Sequence, residues 1–494
     1  MKPSHEPVIM QPRIELLSRD LIERILDEAF QLMVNPGIKV LSKSAREVLA
    51  RGGARVNPDS EIVQIPETTA RAALQTVPST FLLYDRLGQH RVTYGGNAIQ
   101  FDPGSSAVHV LDQDTKQHRP AVTADLVQIV KVAEMLPQYD AQSTAVVCND
   151  VPKPIGDLFR LYIVLLYSAK PIITGSFSNE TLQTMLEMLA LFAGGRGELA
   201  ERPQAVFDVC PSPPLIWSKF GAENLMALAE AGVPAEIVSM PLAGAASPVT
   251  LLGTITQHAA ECISGITIHQ MTRPGSPIVW GGAPAIFDMR RGTTPMGAVE
   301  TAMIDASYAE VGKSLGLPTH CYLGASDSKL VDAQAGLESG MTSLIGALAG
   351  INMISGAGML DFLACQSPEK LVMDAEAISM ARRFLQGMRV RPGSLATTFF
   401  EGINFKGDFL KQKATRDLFA EEQLLPSAII DRDSVRGWQH GGSLDTFDRA
   451  AVRVGELEQA YERPLIAAEK ESALTAIVAA VAGNAGMERL PEFV

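Results

Sequence analysis

Aromatic side chains recurring where short apolar runs end are the most chemically suggestive feature of this 494-residue chain, in which only 6% of residues are aromatic. Phe101, Phe177, Trp217, Phe220, Trp280, Phe287 and Tyr322 all lie in or beside such segments. A group of rings is the standard physical means of holding a quaternary ammonium. That cation has no N–H to donate and is drawn to the negative face of a π system. Taken singly, each ring is better explained by packing; the group is what points to a cation site. The segments themselves are rich in Gly and Pro: Phe101-Asp102-Pro103-Gly104, Cys148-Asn149-Asp150, Gly175-Ser176-Phe177, Cys210-Pro211-Ser212-Pro213, Met240 to Gly244, Gly281-Gly282-Ala283-Pro284, Gly324 to Lys329 and Gly356-Ala357-Gly358. Such turns let backbone approach a ligand closely, and they equally serve a chain that must reverse direction.

Other chemistries leave no motif. The chain has no Walker A loop, no H-E-x-x-H, no G-x-S-x-G and no kinase signature. Gly356-Ala357-Gly358 has Asp361 where a dinucleotide loop needs its third glycine, and reads as a turn. For zinc, His320-Cys321 is the one adjacent His/Cys pair, and neighbours on a strand face opposite ways. A site assembled from separate strands, with Cys148 and Cys210 at two strand ends, stays open. His258, Glu261 and Cys262 share one helical turn and read as buried.

The elements that must position these residues follow a regular rhythm. Eight apolar runs, Ala98–Phe101, Ser143–Cys148, Pro171–Thr174, Ala205–Val209, Ala235–Ser239, Pro277–Trp280, Thr319–Leu323 and Ile351–Ser355, alternate with amphipathic segments such as Thr123–Leu136, Glu180–Phe192 and Leu251–Met271. Strands alternating with helices imply parallel pairing and right-handed crossovers. Eight units suit an α/β fold of the (β/α)8 TIM-barrel type, whose active site gathers at the carboxyl ends of the strands. A doubly wound open sheet is the structural competitor. Residues 1–96 read as an N-terminal α+β extension, 97–365 as the catalytic barrel and 366–494 as a helical C-terminal extension packed on it.

Composition narrows the partners. With 46% hydrophobic and 20% charged residues the chain is globular, and a formal net charge of −13 argues against nucleic acid. Five scattered cysteines without a C-x-x-C pair suit a reducing cytoplasm. Met1–Arg13 has no apolar signal-peptide core, and Leu158–Ala169, the most apolar helical stretch, is interrupted by Arg160 and too short to span a bilayer. A homo-oligomer is compatible with all of this.

Several stretches resemble the trimethylamine methyltransferase superfamily: Met240-Pro-Leu-Ala-Gly-Ala-Ala-Ser-Pro-Val-Thr250, Phe287-Asp-Met-Arg-Arg-Gly292, Gly324-Ala-Ser-Asp-Ser-Lys329 with Asp332-Ala-Gln-Ala-Gly336, and Ile354-Ser-Gly-Ala-Gly358. The resemblance reaches Pro36-Gly37 and Glu369-Lys-Leu-Val372, and so covers nearly the whole chain. It implies a TIM barrel that moves a methyl group to a cobamide, giving methylcobalamin on a separate corrinoid protein. With only standard residues, the chain resembles the branch without pyrrolysine, acting on quaternary amines; glycine betaine is favoured over proline betaine, carnitine or trimethylamine. Phe399-Phe400-Glu401-Gly402 and Asn404-Phe405-Lys406 depart from a histidine-rich stretch of many relatives.

This chemistry needs no acid, base or side-chain nucleophile, because a methyl leaving a quaternary nitrogen moves no proton. Under this resemblance Phe101, Phe177, Trp280 and Tyr322 are expected to form the ammonium cage with Asp102 as counter-charge. Arg290 or Lys329 would take a betaine carboxylate, Arg as a fork and Lys as a point charge; an Arg290–Asp327 ion pair is the structural alternative. Gly244, Gly282, Gly324, Gly356 and Gly358 are expected where the corrinoid approaches, and no cofactor or metal is expected to be held tightly. Two other classes fit the same fold: a zinc-dependent corrinoid methyltransferase, and a betaine-binding protein that transfers nothing.

Overall fold

The computed structural model describes residues 11–391, 393–403 and 405–491; Met1–Met10 and Asn404, used in the sequence reading, lie outside them. Eight short strands carry the architecture: β1 (Gln100–Pro103), β2 (Gln142–Ser143), β3 (Ile172–Gly175), β4 (Ala205–Val209), β5 (Ala235–Ser239), β6 (Ile278–Gly282), β7 (His320–Cys321) and β8 (Met353–Ala357). Each overlaps one of the eight apolar runs. A helix follows every strand: α1 (Thr123–Met135), α2 (Gly156–Tyr167), α3 (Asn179–Ala193), α4 (Lys219–Ala231), α5 (Leu251–Thr272), α6 (Val299–Ser314), α7 (Ala333–Leu348) and α8 (Pro368–Leu385). Local chemistry sets several of the helix starts. The side chains of Ser178, Ser218, Thr250, Asp332 and Ser367 each accept a first-turn backbone N–H, satisfying donors that have no partner inside the helix.

Pairing is parallel throughout these strands. Five join in the order β2-β3-β4-β5-β6 and three in the order β7-β8-β1. The two sheets meet along both edges. Trp280 pairs in parallel with Thr319, and its amide donates to Pro318 O at 2.9 Å. At the other edge Asp140 N donates to Phe101 O at 2.8 Å, and Ala107 pairs with Val146.

Alternation along the strands divides two environments. Ile172, Phe207, Ile237, Trp280 and Ile354 belong to the large core shared with the helices. Ala141, Ile173, Val206, Val279 and Met353 instead form a separate cluster on the opposite face, together with Leu83, Val92 and Tyr94. The last three come from an antiparallel hairpin, Thr80–Tyr84 with His90–Gly95. Its first strand is legible in the sequence, and its second is not. The hairpin plugs the amino end of the inner face, so that face is apolar below and, as described next, polar above.

Towards the C-terminus, Thr446–Ala460 packs on α8 and α1, and Ala468–Asn484 packs on α2 and α3. Tyr461 donates to Tyr167 O at 2.6 Å, and Arg86 reaches the carbonyls of Pro464 and Leu465. Among the described residues no helix is long and apolar enough to cross a membrane. Because Leu83 is fully buried in the plug, Leu83→Ala is expected to cost about 2–5 kcal/mol. A lowered urea midpoint would show this, whereas an unchanged midpoint would place the hairpin outside the core.

Candidate active site

Continuing the inner face towards the carboxyl ends brings polar residues onto one surface. Asp208 on β4 and Glu236 on β5 are register partners, so their side chains emerge side by side. His320 on β7 pairs with Met353 of the inner cluster, and Tyr322 lies two residues further on, the rings meeting edge-on at 4.8 Å. His320 Nε2 lies 2.8 Å from Ser355 Oγ, and Ser355 donates to Asp102. Tyr322 Oη donates to Asp208 Oδ2 at 3.0 Å. Asp102, Glu236, His320 and Ser355 are fully buried or nearly so, while Asp208 keeps some contact with solvent.

Several of these atoms lack partners outside the cluster. Tyr94 Oη and Asp102 Oδ2 make no hydrogen bond, and Asp208 Oδ1, the Glu236 oxygens and His320 Nδ1 have none beyond one another. His320 Nδ1 sits 2.6 Å from Glu236 Oε1 without hydrogen-bond alignment. With Ser355 giving its only hydrogen to Asp102, it accepts from His320 Nε2–H, and Nδ1 is left as an acceptor facing Glu236. Native proteins satisfy nearly all buried polar atoms. A concentration of unsatisfied ones marks a place where a polar or charged ligand completes the set.

Electrostatics agree with that reading. Burial lifts Asp102 and Glu236 well above the usual carboxylate range. Burial, reinforced by the neighbouring Glu236, pushes Asp208 up to about 8, and burial pulls His320 down to about 4 against the opposing effect of Asp208. At pH 7 Asp208 is therefore mostly a neutral acid beside a neutral imidazole, and burial favours the neutral forms of Asp102 and Glu236 as well. The surface can release protons and become the counter-charge of a cation.

The residues singled out from sequence fall into different places. Tyr322 and Asp102 lie on this surface. Phe177, 47% exposed, stands just beyond the end of β3, and the Arg160 guanidinium carbon lies 4.9 Å from its ring centroid. Phe101 and Trp280 do not join the cage. As strand neighbours of inward residues they point outward, Phe101 under the Arg382 guanidinium and Trp280 against His258, with its indole N–H donating to Tyr308 O. Trp217 is likewise buried, donating to Ser264.

The expected carboxylate receivers are engaged elsewhere. Arg290, its side chain 87% exposed, forks onto Asp288 in its own loop, and Lys329 pairs with Asp361 and covers the Phe362 ring. The Arg290–Asp327 pair does not form; Asp327 accepts from Met296 N and Gly297 N, bracing a loop. Four of the five glycines are packing positions. A Cβ at Gly282 would meet Ser239 O at 2.7 Å, at Gly324 Ser343 Oγ at 2.9 Å, at Gly356 Leu323 O at 2.4 Å, and at Gly358 the Gln366 amide oxygen at 2.2 Å. Only Gly244 is exposed.

Sequence reading missed Asp208, Glu236, His320 as a site residue, Tyr94 and Arg160. Its available signal was a polar residue inside an otherwise apolar run: Ala-Val-Phe-Asp208-Val, Ala-Glu236-Ile-Val, and Arg160 within Leu158–Tyr167. Arg160 is fully buried; Nη1 donates to Ser106 Oγ at 2.8 Å and Thr144 O at 2.9 Å, while Nε and Nη2 have no partner. Burial lowers it to about 10, so it stays cationic at neutral pH. Among the described residues no three His, Cys, Asp or Glu side chains are grouped to hold a metal ion.

Asp208 supplies a direct test. Its folded-state value is raised from 3.8 to about 8, so the native state binds more protons than the unfolded chain between those limits, and this group's contribution to stability falls as pH rises through them. In infrared difference spectra a protonated carboxyl band absent from Asp208→Asn is expected to titrate away near pH 8. A band already lost below pH 5 would contradict the neutral-acid assignment.

Comparison with known proteins agrees with this architecture. The family model described as trimethylamine methyltransferase (MTTB) matches residues 2–484. Trimethylamine methyltransferase MttB2 of Methanosarcina mazei is 31% identical over 473 residues, 94% of each chain. Trimethylamine methyltransferase MttB of Desulfitobacterium hafniense is 30% identical over 414 residues, 84% of this chain and 83% of that one. A glycine betaine methyltransferase of D. hafniense strain Y51 is 29% identical over 479 residues, 97% of this chain and 99% of that one. Among solved structures, the monomethylamine methyltransferase of Methanosarcina barkeri superposes with a TM-score of 0.53 at 12% identity, covering 90% of this chain and 89% of that one, which speaks to the fold alone. Sequence match and fold together make this chain a methyltransferase belonging to the trimethylamine methyltransferase family.

Proposed function

We propose that the enzyme moves a methyl group from a quaternary amine, glycine betaine before others, to the cobalt of a separate corrinoid protein, and that it does so at the carboxyl ends of eight strands closed into a (β/α)8 barrel. Contacts at both sheet edges support closure, with 1–96 preceding the catalytic unit; because α8 completes the eighth strand–helix pair, that unit runs past the boundary expected at residue 365 to Leu385, and Thr446–Ala460 and Ala468–Asn484 pack on its helices. The buried acid cluster of Asp102, Asp208 and Glu236 beside the Tyr322 ring, with no Lys or Arg hydrogen-bonded to it among the described residues, is the observation that carries the reading. A tetra-alkylated nitrogen offers charge but no hydrogen bond. Ionised carboxyls and ring faces are the two groups that can hold it.

The open face fits a large partner group. Phe177, Met240, Val249, Met289 and Leu330 in the loops that follow strands β3, β5, β6 and β7, and Phe220 in the first turn of α4 after β4, are all exposed, the pattern of a docking face. A corrinoid reduced to cobalt(I) supplies the nucleophile. This chain's work is to orient one N-methyl towards that face and to exclude water. The C–N bond breaks with its electron pair going to nitrogen, and the neutral tertiary amine leaves without needing a proton. Loss of the positive charge lets Asp208 take up its proton again, which helps the product depart.

Two experiments test this. Mixing the protein with reduced corrinoid protein and glycine betaine is expected to consume the visible cobalt(I) band; a band that persists with every quaternary amine tried would defeat the assignment. Tyr322→Leu is expected to weaken tetramethylammonium binding by about tenfold in titration calorimetry. Unchanged affinity would remove Tyr322 from the site.

A further inference from the structure

We propose that Arg160 receives the carboxylate of a zwitterionic substrate and thereby makes the enzyme select betaines over quaternary amines that carry no acid group. The proposal rests on the quaternary-amine reading above and deepens it. Its starting point is a pair of unused donors. Arg160 is fully buried and feels the charge of the buried Asp157, yet Nε and Nη2 make no hydrogen bond. Keeping guanidinium N–H groups away from water without acceptors is costly unless an anion arrives to meet them.

The free atoms are the right ones. Nη1 is tied to Ser106 Oγ and Thr144 O, which fixes the plane of the guanidinium. Nε and Nη2 form the remaining edge, and two parallel N–H groups on one edge match the two oxygens of a carboxylate. Phe177 covers the group, its ring centroid 4.9 Å away and itself half exposed. Gly175 at the end of β3 is in register with Asp208, so Phe177 and the guanidinium it covers stand at the strand ends near the acid cluster, and the charges of Asp157, Cys148, Asp208 and Tyr322 all act on Arg160. A fixed cation next to acids that ionise on demand mirrors a zwitterion, whose carboxylate and ammonium sit a few bonds apart. Arg290 and Lys329 are already paired with Asp288 and Asp361 and offer no such edge.

Titration calorimetry with glycine betaine and tetramethylammonium tests the assignment. The wild-type enzyme is expected to bind glycine betaine at least tenfold more tightly than tetramethylammonium. Arg160→Met should lose roughly tenfold to a hundredfold in glycine betaine affinity and change tetramethylammonium binding less than about twofold, with Arg160→Lys recovering part of the loss. Should the variants not fold, acetate added to the wild-type enzyme is expected to compete with glycine betaine and to leave tetramethylammonium binding intact. Equal losses for both ligands, or acetate without effect, would overturn the role of Arg160. Failure of either ligand to bind at all would instead overturn the quaternary-amine reading.

Discussion

Carboxyl groups withdrawn from water into one shared cluster are the constraint on which the rest of this structure turns. Asp102, Asp208 and Glu236 share one inner surface, and each is driven towards its neutral form chiefly by burial. Desolvation disfavours the charged state of an acid, and a second acid nearby adds to the effect. A cation reverses both terms. The same groups that remain neutral in its absence become the strongest attraction available to a permanent positive charge.

The scaffold creates this condition by geometry. Parallel register makes Asp208 and Glu236 neighbours, and the period of two sends Phe101, Ile237 and Trp280 outward to the helices as Asp102, Glu236 and Val279 turn inward. Below, the hairpin bearing Leu83, Val92 and Tyr94 fills the amino end, so on that side the acids meet hydrocarbon and the Tyr94 hydroxyl and not solvent. Above, partial exposure of Asp208 leaves a way in from the strand ends. Packing therefore sets the acidity of the site as much as the acids themselves do.

Much of the fold was legible because its signal is repetitive. Eight apolar runs alternating with helical segments correspond to eight parallel strands and their helices. The second hairpin strand, His90–Gly95, carries only a short alternation, Val92 and Tyr94 against Arg91 and Thr93, too brief to stand out beside the eight apolar runs. The site was legible only in part. Aromatic content at strand ends directed attention to Phe101 and Trp280, yet ring type says nothing of facing, and strand parity turns both away. Isolated polar residues within apolar runs carried the better signal, as at Asp208, Glu236 and Arg160. Their meaning emerges only when separate strands and one helix bring them together.

A single measurement reaches the centre of this account. Titrating tetramethylammonium into the enzyme at pH 7 in two buffers of different ionisation enthalpy reports the protons released on binding. The account requires a release approaching one proton per site, because Asp208, neutral without ligand, must ionise to face the cation. Binding with no net proton release would contradict it, showing that the charge is held without the acids on the inner face.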